Sequence, residues 1–200
     1  NAKIGMDYVS GLNSIIRQDP DVIMIGEIRD IETANIAIQA ALTGHLVLTT
    51  LHTKNATESI TRLIDMGIPP FLINSAFIGI IGQRLVQVNC PNCKIEQHVD
   101  TITNTKEQIL LKTIKESYPN VTLFKGKGCK FCNNKGYKGK IGIFEILMLT
   151  EEIKELITNK SNSKTILKKA IENGMKTMEE DGIIKIIEGI TSLEEVAKNI

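Results

Sequence analysis

The 200-residue sequence predicts an α/β protein that carries a metal-binding insert and ends in short helices. Three observations support that expectation. Two apolar runs, residues 22–25 and 46–48, flank a stretch with helical spacing, two C-x-x-C pairs follow, and the segment after residue 150 divides into amphipathic pieces.

Val22, Ile23, Met24 and Ile25 form a continuous apolar run bounded by Pro20 and Gly26. Such a run suits a strand buried on both faces of a parallel sheet. Open α/β sheets bind ligands beyond the carboxyl ends of their strands, and Glu27 stands at that place. Its carboxylate is a candidate to orient or deprotonate a water that attacks a γ-phosphate, although a charge after a core strand is also ordinary. Gly26 lies where many phosphate-loop ATPases carry an Asp, so a metal-holding carboxylate would act through water or come from elsewhere.

Ile31, Ala34, Ile38 and Ala41 or Leu42 recur at helical spacing, and Thr43-Gly44 closes the helix. The next run, from His45 to His52, predicts a second strand with Leu46, Val47 and Leu48 in the core. Thr49, Thr50 and His52 emerge at its far edge, where hydroxyls and an imidazole can sense a γ-phosphate. His45 sits at the opposite end, and a hydrogen-bonded structural role is equally open to it. No G-x-x-x-x-G-K-[ST] loop occurs in the sequence. Residues 17–53 therefore read as half of a nucleotide-hydrolysing site, with the phosphate-holding half expected before Asn1.

Cys90-Pro-Asn-Cys93 and Cys129-Lys-Phe-Cys132 are two knuckles, each able to place two thiolates on one ion. The intervening residues, 94–128, are long enough to form a helix near 107–117 and still leave the knuckles adjacent. A closed four-thiolate site has no open position for water or substrate, so the expected Zn²⁺ is structural. Two disulfides are the alternative, disfavoured in a chain without a signal peptide or secreted character. His98 lies outside both knuckles and reads as a surface residue.

In order and spacing, IRQDPDVIMIGEIRD, TGHLVLTTLHT, TRLIDMGIPP and GQRLVQ resemble the type II secretion and type IV pilus assembly ATPases. The likeness runs through nearly the whole chain. It implies a partial RecA-like P-loop ATPase core with an inserted tetracysteine zinc element and a C-terminal helical subdomain. Within that family Glu27 corresponds to the Walker B glutamate, and residues 45–52 to the His box. The resemblance implies ATP and Mg²⁺ as cofactors, Glu27 and His52 as catalytic residues, and Thr49, Thr50, His45 and Arg62 as candidates for contacting the nucleotide. It also implies a cytoplasmic hexamer that acts on a platform protein at the inner membrane. A tetracysteine element is typical of assembly and export ATPases and lacking in retraction ATPases, which points to assembly or secretion. The family's phosphate loop precedes the matching region, so the chain is expected to be a C-terminal fragment, inactive alone. Residues 1–89 would then be core, 90–140 the zinc element, and 141–200 a returning strand with a helical subdomain.

Composition fits a globular chain, with 42% hydrophobic and 24% charged residues. Lys94, Lys127, Lys130 and Lys135 beside the knuckles would offset the thiolate charge. A net charge of only +1 and few interleaved aromatics argue against nucleic acid as a partner. The longest apolar region, residues 71–81, is too short to span a membrane and reads as a buried helix. Residues 141–147 read as a strand rejoining the central sheet. Residues 151–158, 165–172, 178–188 and 193–199 read as helices packed on one another, the last with a Ser192/Glu195 capping box. Arg29, Arg62 and Arg84 are candidates to complete a phosphate site, with structural salt bridges as the alternative. Family members often carry basic residues where this chain has Gln87 and Val88, and Arg where it has Lys140, so a phosphate clamp is not expected there. Two other functions fit parts of the pattern. One is a zinc-stabilised, non-catalytic interaction module, and the other is a metallohydrolase with His45 and His52 as ligands.

Overall fold

A computed structural model describes residues 8–200. In chain order its first elements are α1 (Tyr8–Ile16), β1 (Val22–Ile25), α2 (Ile31–Leu42), β2 (Leu46–Thr49), α3 (Ala56–Asp65) and α4 (Pro70–Ala76). Then come β3 (Gly79–Asn89), β4 (Lys94–Glu96), α5 (Thr105–Ser117), β5 (Phe124–Gly126) and β6 (Tyr137–Met148). Four helices close the chain: α6 (Glu151–Thr158), α7 (Ser163–Glu172), α8 (Met178–Ile187) and α9 (Leu193–Asn199). The described residues form two compact units. One comprises 8–81 with Ile146–Met175, and the other Gly82–Glu145 with Lys176–Ile200.

The first unit is built on a βαβ turn. β1 and β2 pair in parallel, with Val22 opposite Leu46 and Ile25 opposite Thr49, and α2 supplies the crossover. Asp30 starts α2 because its extended backbone (φ −140°, ψ 167°) lets the carboxylate accept the Thr33 N–H at 2.8 Å. That hydrogen bond, joined by weaker contacts in the same turn, holds the Asp30 carboxyl below its usual range. The buried face of α2 is Ala34, Ile36, Ala37, Ile38 and Ala40, while Ile31 and Leu42 are exposed, so the apolar stripe is rotated from the expected one.

The two-faced burial expected for the strands is not observed. Ile23 and Ile25 are buried, but Val22 is 53% and Met24 77% exposed, and Leu46 and Leu48 are exposed in register with them. Among the described residues the helices cover one face only, so burial follows the period-two alternation of a strand. The core of this unit joins Ile25, Ile60, Leu63, Ile68 and Ile73 to Leu147, Ile153, Ile157 and Ile166.

Residues 71–81 do not form one buried helix. α4 stops at Ala76, β3 begins at Gly79, and Phe71, Ile78 and Ile81 are exposed. Asn74 explains the polar interruption: its amide donates to the Lys154 carbonyl and the Thr158 hydroxyl, both at 2.9 Å, tying α4 to α6. β6 does not rejoin β1 and β2, but pairs with β3 in a separate two-stranded sheet.

The second unit holds the antiparallel β4–β5 pair, α5, α8 and α9 around Val86, Leu110, Ile114, Leu123, Ile143, Ile186, Leu193 and Val196. The four C-terminal helices thus divide, with α6 and α7 in the first core and α8 and α9 in the second. Ser192 accepts the Glu195 N–H at 3.2 Å, but no reciprocal capping box forms at α9. Glu195 instead accepts the Gln87 backbone N–H at 2.9 Å and the Gln87 side-chain amide at 3.0 Å. The capping box lies one helix earlier, between Thr177 and Glu180.

Glu195 is buried and satisfies two donors at once, whereas Glu194 is exposed. Glu195→Ala is expected to destabilise the protein by about 2–3 kcal/mol in urea unfolding, because two hydrogen bonds to a buried carboxyl are lost and the Gln87 donors are stranded. Glu194→Ala should stay within about 0.5 kcal/mol of the parent.

Candidate functional site

The exits of β1 and β2 are sewn together by the backbone. The Ile28 N–H donates to the Thr50 carbonyl at 3.0 Å, and the Thr50 hydroxyl donates to the Gly26 carbonyl at 2.6 Å. Ile28 is buried, whereas Arg29 is exposed and turns back to Glu27 two residues before it. Glu27 and His52, one from each strand exit, then meet. His52 Nε2 donates to Glu27 Oε2 at 3.0 Å, and Arg29 Nη2 donates to Glu27 Oε1.

These partners hold the Glu27 carboxyl below the usual carboxylate range. The Arg29 hydrogen bond is the largest cause, partial desolvation opposes it, and the charges of Arg29 and His52 add to it. An ionised Glu27 has about four acceptor positions, so one partner per oxygen leaves room for water.

The other expected residues are distributed differently. Thr49 lies opposite Ile25, and its hydroxyl oxygen is buried without a hydrogen-bond partner among the described residues. Thr50 is committed as a donor to Gly26. His45 sits at the far end of β2, where Nδ1 lies 2.9 Å from the Ala40 carbonyl and 3.2 Å from the Thr43 hydroxyl, closing the end of α2. It does not converge with His52, and among the described residues no group of metal-ligand type includes either imidazole. Arg62 is exposed in the last turn of α3 and makes no ion pair among the described residues. The pairing of Arg29 with Glu27 is the salt-bridge alternative left open for Arg29, and the i, i+2 spacing signals it.

The four cysteines converge in the second unit. Their sulfurs lie within 4.8 Å of one another, with Cys90 to Cys129 and Cys129 to Cys132 at 3.8 Å and Cys93 to Cys132 at 3.9 Å. No disulfide links them. A tetrahedron with metal–sulfur bonds of about 2.3 Å has edges of about 3.8 Å, which the observed separations match. Backbone N–H groups point at the sulfurs: Gly128 at Cys93, and both Cys129 and Gly136 at Cys132, each at 3.2 Å.

Burial raises the Cys132 thiol, but the N–H groups of Cys129 and Gly136 overcome it and bring the thiol down to about 6. Burial pushes Cys93 up to about 12 against the Gly128 N–H. Four neighbouring sulfurs cannot all ionise unless a cation takes up their charge.

The loops around the knuckles require glycine where backbones nearly touch. A Cβ on Gly126 would stand 1.8 Å from the Gly136 carbonyl oxygen, and Gly136 itself has φ +78°. That carbonyl accepts the Cys90 N–H at 2.9 Å, so the close approach sets the first knuckle beside the second.

A family model described as "Type II/IV secretion system protein" matches residues 1–198. The chain is 46% identical over 198 residues to the type II secretion system ATPase E of Vibrio cholerae, covering 99% of this chain and 38% of that protein. It is 45% identical over 196 residues to the type IV pilus assembly ATPase PilB of Thermus thermophilus, covering 98% of this chain and 22% of that protein. Among solved structures, the pilus retraction motor PilT with bound ADP superposes with a TM-score of 0.63 at 25% identity, over 97% of this chain and 43% of that one. The chain thus spans less than half the length of each of these relatives. On the family match and these identities, the chain belongs to the type II/IV secretion system protein family.

Proposed function

We propose that this chain is the hydrolytic and zinc-bearing part of an ATP-driven motor subunit for type II protein secretion or type IV pilus assembly. The observation that carries this reading is the Glu27–His52 hydrogen bond across the exits of two parallel strands. There Glu27, held ionised, orients water for attack on the γ-phosphorus, and the bond from that phosphorus to the β,γ-bridging oxygen breaks to release ADP and phosphate. His52 lies on the far strand exit, so a change at Glu27 is felt directly by the segment leading into α3. The Thr49 hydroxyl, buried without a hydrogen-bond partner among the described residues, lies beside the same exit.

No G-x-x-x-x-G-K-[ST] loop, the phosphate-binding element of such a motor, occurs in these 200 residues. Glu27 is engaged by Arg29 and His52, and Asp30 by α2, so neither is assigned as a Mg²⁺ ligand. Export or assembly is favoured over retraction because the relatives at 45–46% identity are named for secretion and pilus assembly, while the retraction motor matches at 25%. No helix among the described residues is long and apolar enough to cross a membrane. A six-membered ring, as the family resemblance implies, working on a membrane platform protein from the cytoplasmic side completes the proposal.

Cys90, Cys93, Cys129 and Cys132 would hold Zn²⁺ as a closed, structural site, contributing folding energy and no catalytic step.

In the full-length protein, Glu27→Gln should abolish ATP turnover while leaving nucleotide binding within about twofold, measured by phosphate release and a fluorescent nucleotide titration. Normal turnover in that variant would remove Glu27 from the chemistry. Metal analysis of this chain should find one zinc per molecule, and Cys90→Ser should lose it together with amide-exchange protection around α5, α8 and α9. Unchanged protection in the metal-free protein would contradict a structural role.

A further inference from the structure

Cys90 is preceded by a buried polar residue that ligates nothing. Asn89 closes β3 with only 4% of its surface exposed. A buried carboxamide must find acceptors for its donors, and here both are main-chain carbonyls: Nδ2 donates to Phe124 O and to Gly189 O, each at 3.3 Å. The Asn89 backbone N–H donates to the Ile190 carbonyl at 2.8 Å. Oδ1 is buried with no partner among the described residues, so the side chain is held through its donors.

These bonds join segments far apart in the chain. Phe124 lies in β5 with Gly126, the glycine that meets Gly136, whereas Gly189 and Ile190 belong to the turn between α8 and α9, 100 residues from Asn89. The same turn grips the surroundings of the cysteines twice more. Thr191 Oγ1 donates to the Gln87 carbonyl at 2.7 Å, and Ser192 Oγ lies 2.7 Å from the hydroxyl of Tyr137, where β6 begins. Thr191 and Ser192 are buried, so water does not compete for these bonds. Cys90 is tied on its other side by its N–H on the Gly136 carbonyl. The first knuckle is therefore set between the second knuckle and a wall supplied by the α8–α9 turn.

We infer that Asn89 is a positioning residue for the tetracysteine site: it anchors Cys90 to the α8–α9 turn, so that metal affinity and the seating of that turn are linked. The inference rests on the zinc reading of the four cysteines. Groups behind a metal's ligands fix where those ligands sit, and losing one typically costs about 10–100-fold in affinity. The linkage is reciprocal, because whatever the turn contributes to metal binding, metal binding returns to the turn.

The test measures zinc affinity of the full-length protein by competition with a chromophoric chelator, and amide exchange with and without zinc. Asn89→Asp keeps the shape but turns an oxygen toward two carbonyls, and should lower zinc affinity by about 10–100-fold. Thr191→Val removes one hydroxyl from the turn at nearly constant shape and should lower it by about fivefold, the equivalent of one hydrogen bond. That variant decides the matter if Asn89→Asp does not fold. Ile143→Val, a core substitution in β6, is the control: it lowers stability while the native site keeps its parental affinity. Removing zinc from the parent should speed exchange at residues 189–192 by about tenfold or more and leave α6 unchanged. Parental affinity in both Asn89→Asp and Thr191→Val would overturn the inference, and so would an equal loss in Ile143→Val, the mark of general destabilisation. A parent that binds no zinc defeats the zinc reading itself, whereas a zinc-replete parent with unaffected variants removes only the role of Asn89.

Discussion

The site depends on the parallel pairing of β1 with β2 and on the two hydrogen bonds that continue it past the strands. Strands in a βαβ unit run the same way, so their carboxyl ends, and whatever follows them, lie side by side. The Ile28–Thr50 and Thr50–Gly26 bonds extend that adjacency by a few residues. Glu27 and His52, 25 residues apart in sequence, become hydrogen-bond partners as a result. A one-residue slip in register would turn Ile28 outward and Glu27 inward, losing both the core contact and the carboxylate.

A different constraint organises the second unit. The cysteine knuckles are drawn together by backbone: the Gly126–Gly136 approach, the Cys90 N–H on the Gly136 carbonyl, and three N–H groups aimed at sulfur. Like charges at these separations repel, so a divalent cation bound there would offset the repulsion that the short, glycine-lined loop imposes by holding the sulfurs together. Elsewhere in that unit a buried glutamate, Glu195, holds Gln87 by two hydrogen bonds, which gives the residue between β3's ends a structural task.

Local signals in the sequence are legible where one interaction dominates. The α2 limits, the helix in the cysteine insert and the convergence of four cysteines follow from periodicity, capping residues and ligand spacing. The exposed Val22 and Met24 were not legible, because a continuous apolar run does not tell how many faces a strand has covered. Nor was the break after Ala76, where an apolar stretch of 71–81 serves first a helix and then a strand. Ser192 and Glu195 have the spacing of a capping box, but a tertiary partner, Gln87, takes the carboxylate. At the site, Glu27 and His52 could be nominated separately. Their contact emerges only when the strands are paired.

The central claim is that Glu27 is an ionised carboxylate held by Arg29 and His52 at one strand junction. Carbon-13 titration of the Glu27 side chain tests it most directly. The account predicts ionisation below the ordinary glutamate range, and an upward shift of that midpoint in His52→Ala. An ordinary midpoint that does not respond to His52→Ala would contradict it.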